Sequence, residues 1–329
     1  MQFTDLLLHW YEGNKRSLPW RGERDVYRVW ISEIILQQTR IRQGWDYYLR
    51  FIEAFPDVKS LAAASEEEVL RLWQGLGYYS RARNLHAAAK SVMSVFGGIF
   101  PNRYEDIRRL KGVGDYTAAA IASFAYGLPY PAVDGNVLRI ITRVMGIHDN
   151  IMAGTTRKHV TQQCRRLMDK ASPADFNQAL MDFGSLQCVP KNPDCEGCPM
   201  KNICYAYSHQ EVELLPVSIK NLHIRDRYFH FFIYIDKQEN IVIEKRIAND
   251  IWRNLYQLPM IETDNADLQS HKLVCQTKHQ LTHQTIHAFF YEVNNPADLP
   301  SAANPRLTVP LTRLSQYAFP VLISKCLNR

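Results

Sequence analysis

The sequence lacks the long apolar runs that a membrane protein requires. No stretch of its 329 residues reaches the roughly 20 apolar residues of a transmembrane helix. The first segment, Met1 to Asn14, has no basic region ahead of its short apolar run, so no secretion signal is indicated. Internal repeats and low-complexity tracts are also absent from the sequence. These absences predict a globular protein that works in the cytoplasm.

Neither sign of charge dominates. The chain has 39 Lys and Arg against 33 Asp and Glu, a net charge of +6, which suits an anionic partner without requiring one. Its hydrophobic content of 46% and charged content of 22% are those of an ordinary globular protein. A chain of this length predicts two or three domains.

Cysteine is scarce outside one short segment. Four of the seven cysteines fall within 17 residues in the spacing C-x6-C-x2-C-x5-C, namely Cys188, Cys195, Cys198 and Cys204. Such crowding indicates a metal loop rather than an extracellular disulfide framework. Four thiolates in one loop can bind zinc or a 4Fe-4S cluster, but a zinc ribbon usually has two C-x2-C knuckles and this loop has one.

The stretch from Leu110 to Val137 is the feature around which the first part of the chain is organised. Gly112 and Gly114 precede an alanine-rich run that ends near Gly127, which predicts a tight hairpin opening into a helix. Such a hairpin directs backbone N–H groups outward, as a phosphate site requires. An ordinary turn between packed helices is the alternative, because two glycines alone are a weak signal.

Two carboxylates occupy positions that suit chemistry on a sugar. Asp134 precedes the helical run from Gly135 to Met145 and is predicted to cap it. A carboxylate held there by backbone amides is expected to stay ionised and to stabilise a cation on a bound sugar. Glu33 lies within an apolar helix predicted from Val26 to Thr39, so burial should raise its pKa and make it a general acid. A plain cap and a solvated Glu are the alternatives.

Further polar side chains are candidates for contacts with nucleic acid. Arg21 follows Pro19 in a predicted loop, where it could bind a phosphate or a base edge. Gln38 and Thr39 end the helix that carries Glu33, and they could read base edges or cap the helix. Each of these residues has a purely structural alternative.

A glycine-rich loop carries two exposed aromatic candidates. Tyr78 and Tyr79 follow Gly77, and this loop is predicted to wedge between stacked bases. Arg81 and Arg83 on the next helix are predicted phosphate anchors. Packing between helices is the alternative for the two tyrosines.

The sequence beyond residue 207 changes character. Residues 208–225 have no steady periodicity and are predicted to be a linker. Alternating segments such as YFHFFIYI and NIVIEKR then predict strands. A helical segment split at Pro320 closes the chain, so this part is predicted to be a small, mostly antiparallel α+β domain.

The motifs occur in the order LPWR, SEIILQQT, GLGYYSRARNLH, GVGDYTAAAI, VDGNV, cysteine loop and strand-rich segment. In that order they resemble the MutY branch of the helix-hairpin-helix GPD family of base-excision DNA glycosylases, over the whole chain. The resemblance implies a mainly α, two-lobed helix-hairpin-helix core at 1–207, with its hairpin at 110–127 and an iron-sulfur loop at 188–204. A linker at 208–225 and a small α+β Nudix-like domain at 226–329 for recognition of 8-oxoguanine are expected to follow.

The resemblance also implies an activity. It predicts a monomeric, monofunctional DNA glycosylase, associated with the nucleoid through DNA, that hydrolyses the N-glycosidic bond of adenine mispaired with 8-oxoguanine or guanine. Glu33 would protonate adenine at N7 and then assist water, while Asp134 would stabilise the oxocarbenium ion or its covalent adduct, in the manner of glycoside cleavage. The four cysteines would hold a 4Fe-4S cluster. The remaining implied site residues are Tyr116 and Asn136 near the sugar, Arg21, Gly112 and Gly114 on DNA, Gln38, Thr39, Leu76 and Tyr78 where adenine is flipped out, and Thr282 and His283 at 8-oxoguanine.

Three features distinguish this chain from related sequence patterns. The endonuclease III branch, whose members are bifunctional and act on oxidised pyrimidines, has a nucleophilic Lys where this chain has Tyr116, and a Schiff base needs an amine. The Phe-Ser-His tip common in the MutY branch is replaced here by Leu281, Thr282 and His283. The glutamate-rich Nudix box is absent, so pyrophosphohydrolase activity is not expected. A catalytically silent DNA-binding protein is disfavoured because both carboxylates are present.

Overall fold

The computed structural model describes residues 2–170, 172–219, 224–265, 268 and 271–327. The chain divides into two compact units, of which the first comprises Met1–Ala62 with Ala87–Lys220 and the second Ala63–His86 with Asn221–Arg329. The second unit thus includes the segment 63–86 in addition to the residues that follow the predicted linker at 208–225. Residues 220–223 of the predicted linker lie outside the described residues.

The first unit is built from helices. They are α1 (Phe3–Asn14), α2 (Val26–Leu36), α3 (Ile41–Ala54), α4 (Val58–Ala63, ending at the boundary), α6 (Ser80–Val95, crossing it), α7 (Tyr104–Arg109), α8 (Asp115–Tyr126), α9 (Gly135–Met145), α10 (Gly154–Leu167), α11 (Pro173–Leu186) and α12 (Tyr205–Ser208). α2 packs against α3 and α8, and α11 packs against α1, α8 and α9. Fully buried side chains such as Leu7, Ile140 and Phe176 fill one core of this unit, each contributing about 1.5–3 kcal/mol.

The predicted hairpin and its helix are present. α7 ends at Arg109, Gly112 has the left-handed φ of 81° that favours glycine, and Gly114 is the N-cap of α8. Gly127, with φ 64°, ends α8 as predicted. The helix that carries Glu33 is shorter than predicted, because α2 ends at Leu36 and the chain turns at Gln38, whose φ is 53°.

The second unit contains two sheets. Its strands are β1 (Arg225–Tyr234), β2 (Asn240–Lys245), β3 (Tyr256–Gln257), β4 (Met260–Glu262), β5 (Lys272–Gln280), β6 (Gln284–Val293) and β7 (Arg306–Pro310). One sheet has the order β4-β1-β6-β5 and the other β3-β2-β7. β1 and β6 are parallel and the other pairs are antiparallel, as expected for a mostly antiparallel domain. A 3-10 helix, Leu311–Gln316, and α13, Val321–Leu327, follow and are separated at Pro320.

The segment 63–86 is joined to the second unit by polar contacts. It contains α5 (Glu66–Leu72), whose N-cap Ser65 forms a capping box with Glu68. Glu67 accepts hydrogen bonds from Lys245 Nζ at 2.5 Å and from Tyr256 Oη at 2.9 Å. Consequently, the glycine-rich loop that carries Tyr78 is part of the second unit. No helix among the described residues has the length and apolar character needed to cross a membrane.

Candidate active site

A cavity of about 310 Å³ in the first unit brings the predicted catalytic residues together. Its size lies at the lower end of the range for small-molecule sites. Glu33 comes from α2, Tyr116 from α8, and Asp134 and Asn136 from the start of α9. The remaining lining residues are Arg16, Leu18, Trp20, Arg21, Val29, Ser32, Leu36, Thr39, Arg40, Ile41, Phe124, Gln178, Met181 and Ser185.

Glu33 is the buried acid of this cavity. It is 8% exposed, and burial raises its pKa to about 7. A hydrogen bond with Tyr116 and the charge of Arg21 oppose this rise, whereas the charge of Asp134 adds to it. At neutral pH a large fraction of Glu33 is therefore protonated, which is the state a general acid needs.

Tyr116 supplies a neutral hydroxyl beside Glu33. Burial raises its pKa well above the usual value, and the charges of Glu33 and Asp134 raise it further. Its hydroxyl hydrogen-bonds to Glu33 and lies 3.8 Å from Met181 Sδ. The phenol therefore stays protonated and donates to Glu33 when that carboxyl is ionised.

Asp134 caps α9 as predicted. Its Oδ1 accepts a hydrogen bond from the Val137 N–H at 2.9 Å, and its Oδ2 accepts one from Asn136 Nδ2 at 2.9 Å. Burial nevertheless raises the pKa of Asp134, and these donors only partly offset it. Burial therefore acts on this pKa more strongly than the amide donors do, because the cavity desolvates the carboxylate. That Asp134 stays ionised remains a prediction.

A buried arginine connects Asn136 to the cysteine loop. Arg139 Nη2 donates to Asn136 Oδ1 at 3.0 Å and to the Gly184 carbonyl at 2.6 Å, and Arg139 Nε donates to the Cys188 carbonyl at 2.9 Å. A Cβ on Gly184 would lie 2.6 Å from the Asn136 Cβ, so a side chain there would push Asn136 aside. The sequence analysis missed Arg139, although its place three residues after Asn136 on the predicted helix was a usable signal.

A fully buried carboxylate organises another wall of the cavity. Asp182 on α11 accepts hydrogen bonds from Arg16 Nε at 2.9 Å and Nη2 at 2.6 Å. It also accepts one from Arg21 Nη2. Arg21, predicted to contact DNA, is thus held by an ion pair and lines the cavity. Asp182, Arg16 and the adjacent cavity residue Gln178 were missed, because only the fold brings α11 to the loop after α1.

The four cysteines of the predicted metal loop are all free thiols. Burial, with smaller contributions from the neighbouring thiols of Cys188, Cys204 and Cys195, raises the pKa of Cys198 to about 12. Arg143, which is 3% exposed, donates to Cys188 Sγ at 3.5 Å and to the Val189 carbonyl at 2.9 Å. Four neighbouring thiols backed by a buried cation suit a group that is bound by thiolates. Across the described residues, no three or more Cys, His, Asp or Glu side chains form a ready metal site.

Comparisons with known proteins agree with this architecture. The HhH-GPD superfamily of base excision DNA repair proteins matches residues 31–170, and the NUDIX domain family matches residues 230–329. The adenine DNA glycosylase of Buchnera aphidicola subsp. Baizongia pistaciae is 33% identical over 300 residues, which cover 87% of this chain and 84% of that protein. The chain belongs to the adenine DNA glycosylase family.

Other relatives and solved structures extend the family comparison. The adenine DNA glycosylase of Homo sapiens is 41% identical over 225 residues, covering 66% of this chain and 41% of that protein. A thermostable thymine-DNA glycosylase structure matches with a TM-score of 0.58 and 29% identity, over 63% of this chain and 95% of that one. A trapped endonuclease III–DNA covalent intermediate matches with a TM-score of 0.55 at 21% identity, over 63% and 94%, which is a likeness of fold.

In this member of the adenine DNA glycosylase family, the first unit exposes several of the predicted DNA contacts. Gly112 and Gly114 are exposed at the hairpin, and Gln38 is exposed at the turn after α2. Thr39 differs, because it lines the cavity and its Oγ1 donates to the Gln37 carbonyl at 3.3 Å. The hairpin and Gln38 are therefore accessible to a large ligand.

The second unit of this family member joins Tyr78 to the predicted recognition tip. Tyr78, with φ 47° and 49% exposed, has its hydroxyl 2.7 Å from Thr282 Oγ1, and His283 is exposed beside it. Leu76 is only 6% exposed, so in this conformation its side chain is not available to DNA. The hydroxyl contact between Tyr78 and Thr282 could not be inferred from positions 204 residues apart.

Arg81 and Arg83, which follow Tyr78, donate hydrogen bonds to backbone carbonyls of the protein. Arg81 is 8% exposed, and its Nη2 donates to the carbonyls of Leu76 at 3.3 Å and Gly77 at 3.2 Å. Arg83 Nη1 donates to the Arg253 carbonyl at 2.9 Å. The predicted role of Arg81 as a phosphate anchor is therefore wrong for this conformation, because its guanidinium is buried against the loop. Arg83 is half-buried, and its role stays a prediction.

Proposed function

We propose that this chain is a monofunctional DNA glycosylase that removes adenine mispaired with 8-oxoguanine or guanine from duplex DNA. The observation that carries the proposal is the cavity shared by Glu33, with its pKa raised to about 7, and Asp134. Membership of the adenine DNA glycosylase family supports adenine as the base. The reaction is hydrolysis of an N-glycosidic bond, the first step of base-excision repair.

Protonated Glu33 begins the reaction. It donates its proton to N7 of the flipped adenine, so that the electron pair of the C1′–N9 bond can leave with the neutral purine. The deoxyribose is left with the positive charge of an oxocarbenium ion. Glu33, now ionised, takes a proton from the water that attacks C1′, which restores the acid and completes the hydrolysis.

Asp134 stabilises the sugar cation. Its ionised form supplies a negative charge, which acts strongly in a cavity shielded from water. The hydrogen bonds from Val137 and Asn136 fix this carboxylate before the substrate arrives, so little reorganisation is needed in the transition state. Tyr116 holds Glu33 through its hydroxyl and keeps the acid aimed into the cavity.

The lining of the cavity argues against lyase chemistry. A bifunctional enzyme needs a nucleophilic amine that forms a Schiff base with C1′. Among the described residues, no lysine lines the cavity, and Tyr116 stands where the rival branch has its lysine. Borohydride treatment during turnover is therefore expected to trap little protein on DNA. A high yield of trapped adduct would contradict the monofunctional assignment.

The proposed DNA contacts are made by residues that are exposed on the surface. The backbone N–H groups at Gly112, Gly114 and the start of α8 would bind a phosphate, with the helix dipole favouring the anion. Gln38, at the turn after α2, would enter the space left by the flipped adenine. Tyr78 and Thr282, already joined by their hydroxyls, would face the 8-oxoguanine with His283 beside them. The protein would act on duplex DNA as a monomer.

The cysteine loop would hold a 4Fe-4S cluster. Cys188, Cys195, Cys198 and Cys204 would be its ligands, and the cluster would tie the two ends of the loop together. The guanidinium of Arg143 would compensate the negative charge of the thiolates. Arg139, bonded to the Cys188 carbonyl, would keep this loop and Asn136 in fixed relation.

Single-turnover base release tests the proposal. Matched duplexes would carry adenine opposite 8-oxoguanine, guanine or thymine, and alkaline cleavage of the strand would report the abasic product. We expect fast release opposite 8-oxoguanine, slower release opposite guanine and none opposite thymine. Absence of adenine release together with cleavage of oxidised-pyrimidine duplexes would assign the chain to the endonuclease III type instead.

A further inference from the structure

The turn that carries Thr282 is short and has few contacts of its own. It spans residues 281–283 between β5 and β6, and both Thr282 and His283 are exposed. Its backbone is held at two points, where Leu281 N–H donates to the Gln284 carbonyl at 2.8 Å and Arg225 N–H donates to the His283 carbonyl at 3.1 Å. The position of the turn therefore depends on the strands beneath it.

A partly buried ion network, centred on the buried Arg227, includes the residue that follows this turn. Arg227 on β1 donates from Nε and Nη2 to Glu262 on β4, both at 2.7 Å, and from Nη1 and Nη2 to Asp250 at 2.9 and 2.7 Å. Arg227 Nη1 also donates to Gln284 Oε1 at 3.3 Å. Gln284 is 5% exposed and is the residue that follows the turn. All five N–H groups of this guanidinium thus connect three strands and a loop.

Asp250 carries the network into that loop. It accepts a second ion pair, from Arg246 Nη2 at 3.0 Å, and Arg246 Nη1 donates to Gln257 at 2.6 Å. The Phe229 ring lies within cation–π distance of both guanidinium groups, at 4.8 Å from Arg227 and 5.8 Å from Arg246. Residues 246–254 therefore form a loop whose position is fixed by charge.

The same loop contacts the segment that carries Tyr78. Asn254 Nδ2 donates to Glu66 Oε1 at 2.5 Å, and the Arg253 carbonyl accepts the hydrogen bond from Arg83. Glu66 and Arg83 stand on the helices before and after the Tyr78 loop. Trp252 and Asn254 have left-handed φ values of 60° and 64°, which a loop keeps only when its surroundings hold it.

We propose that Arg227, Asp250 and Gln284 are positioning residues that hold the 281–283 turn and the Tyr78 loop at a fixed distance, and thereby set the discrimination between 8-oxoguanine and guanine. The inference rests on the proposed function. One loop, 246–254, reaches both halves of the recognition surface: Asp250 is linked to Gln284 through Arg227, and Asn254 bonds to Glu66.

The physical reason lies in how weak the direct contact is. The bond between the Tyr78 and Thr282 hydroxyls is an exposed, neutral hydrogen bond, which cannot by itself hold two loops in place. The ion network beneath it is partly buried and multiply bonded, so it is much stiffer. A displacement of about 1 Å at a recognition group can cost up to about 10²-fold in rate. Weakening the network should therefore reduce the discrimination between 8-oxoguanine and guanine as the opposite base.

The test compares two network variants with a matched control. Asp250→Asn removes the charge that both arginines share, and Gln284→Met removes the link to the turn while leaving the ion pairs intact. Arg306→Met breaks a different partly buried ion pair of the same unit, at 2.8 Å from Glu244, which also accepts a hydrogen bond from Asn304 and belongs to the other sheet. The full-length protein is used, and the ratio of single-turnover adenine release opposite 8-oxoguanine to that opposite guanine is measured beside the melting temperature.

We expect both network variants to lower this ratio by about tenfold. Arg306→Met should lower the melting temperature and keep the ratio. An unchanged ratio in both network variants, or an equal fall in Arg306→Met, would overturn the inference, because the network would then act only on stability. A wild-type ratio of one would overturn the 8-oxoguanine part of the proposed function as well, so the two failures are distinguishable.

Discussion

Glu33 in the first unit and Asp250 in the second are carboxylates whose pKa values shift in opposite directions. In the first unit, burial raises the pKa of Glu33 to about 7, and Asp134 beside it also has a raised pKa. In the second unit, burial alone would raise the pKa of Asp250, but the hydrogen bonds and charge of Arg227 lower it. The difference lies in the partners, since Glu33 has a neutral phenol at hydrogen-bond distance where Asp250 has two guanidinium groups.

The raised pKa of Glu33 suits a catalytic role, whereas the lowered pKa of Asp250 suits a structural one. A buried acid without a paired cation exchanges its proton near neutral pH, which is useful to a catalyst and costs stability. A carboxylate held by arginines stays charged over the whole physiological range and fixes the elements around it. The comparison therefore predicts opposite consequences for neutral substitutions in the two places.

The largest effect is expected from Glu33→Gln. The amide keeps the shape of the side chain but cannot donate a proton to adenine, so single-turnover base release should fall by about 10⁴-fold. Affinity for the mispaired duplex should change little, as measured by fluorescence anisotropy. Glu12→Gln, on a side chain that is 80% exposed, is the control and should keep full activity. Equal loss of release and of affinity would refute the assignment of Glu33 as the acid.

The second largest effect on base release is expected from Asp134→Asn. Asparagine is as good an N-cap as aspartate, so α9 and the melting temperature should be retained. The negative charge that faces the sugar cation is lost, and base release should fall by about 10²- to 10³-fold. A variant that loses stability in step with its rate would show that Asp134 acts as a cap alone. The change thus separates the structural and catalytic roles of one residue.

Stability should respond to pH in opposite directions in the two units. The folded pKa of Glu33, about 7, exceeds its unfolded value near 4.5, so the folded state binds more protons between these pH values. Stability therefore falls as pH rises through this window, at a cost on the order of 3 kcal/mol above about pH 8. Glu33→Gln removes that cost, and urea unfolding should show a gain over wild type at pH 8 that disappears near pH 4.

The pH dependence of stability expected from Asp250 has the opposite sign. Its folded pKa is depressed, so its ion pairs stabilise the protein above the unfolded pKa, and that stability is lost as pH falls through the folded value. Asp250→Asn should therefore be less stable than wild type at pH 7 and approach it in acid. The same pH dependence for Glu33→Gln and Asp250→Asn would remove the distinction between the two sites.

The parts of the molecule that the sequence predicted are those with a local signal. Gly112, Gly127 and Asp134 were placed correctly because a left-handed turn and a helix cap depend on one residue and its neighbours. Burial of Glu33 followed from the apolar residues around it on the same helix. These features need no knowledge of the tertiary fold.

The parts that the sequence did not predict depend on contacts between distant positions. Asp182 binds Arg16 across 166 residues, and Arg139 binds the Cys188 carbonyl across 49. The segment 63–86 joined the second unit for the same reason, since Glu67 pairs with Lys245 across 178 residues. In the sequence Glu67 resembles an ordinary acidic residue in the first turn of a helix, and Asp182 an ordinary polar residue within one. Nothing local distinguishes either from a solvated carboxylate.

The smallest expected effect concerns the neutral contact in the second unit. Tyr78→Phe keeps the ring and removes the hydroxyl that lies 2.7 Å from Thr282 Oγ1, at a cost of about 1 kcal/mol for one exposed hydrogen bond. The ratio of adenine release opposite 8-oxoguanine to that opposite guanine should therefore fall by about fivefold or less. Tyr126→Phe, which loses a hydrogen bond of 3.2 Å to the Phe100 carbonyl in the first unit, is the control and should leave this ratio unchanged. A fall as large as that expected for Asp250→Asn would mean that the hydroxyl contact, rather than the ion network, fixes the recognition surface.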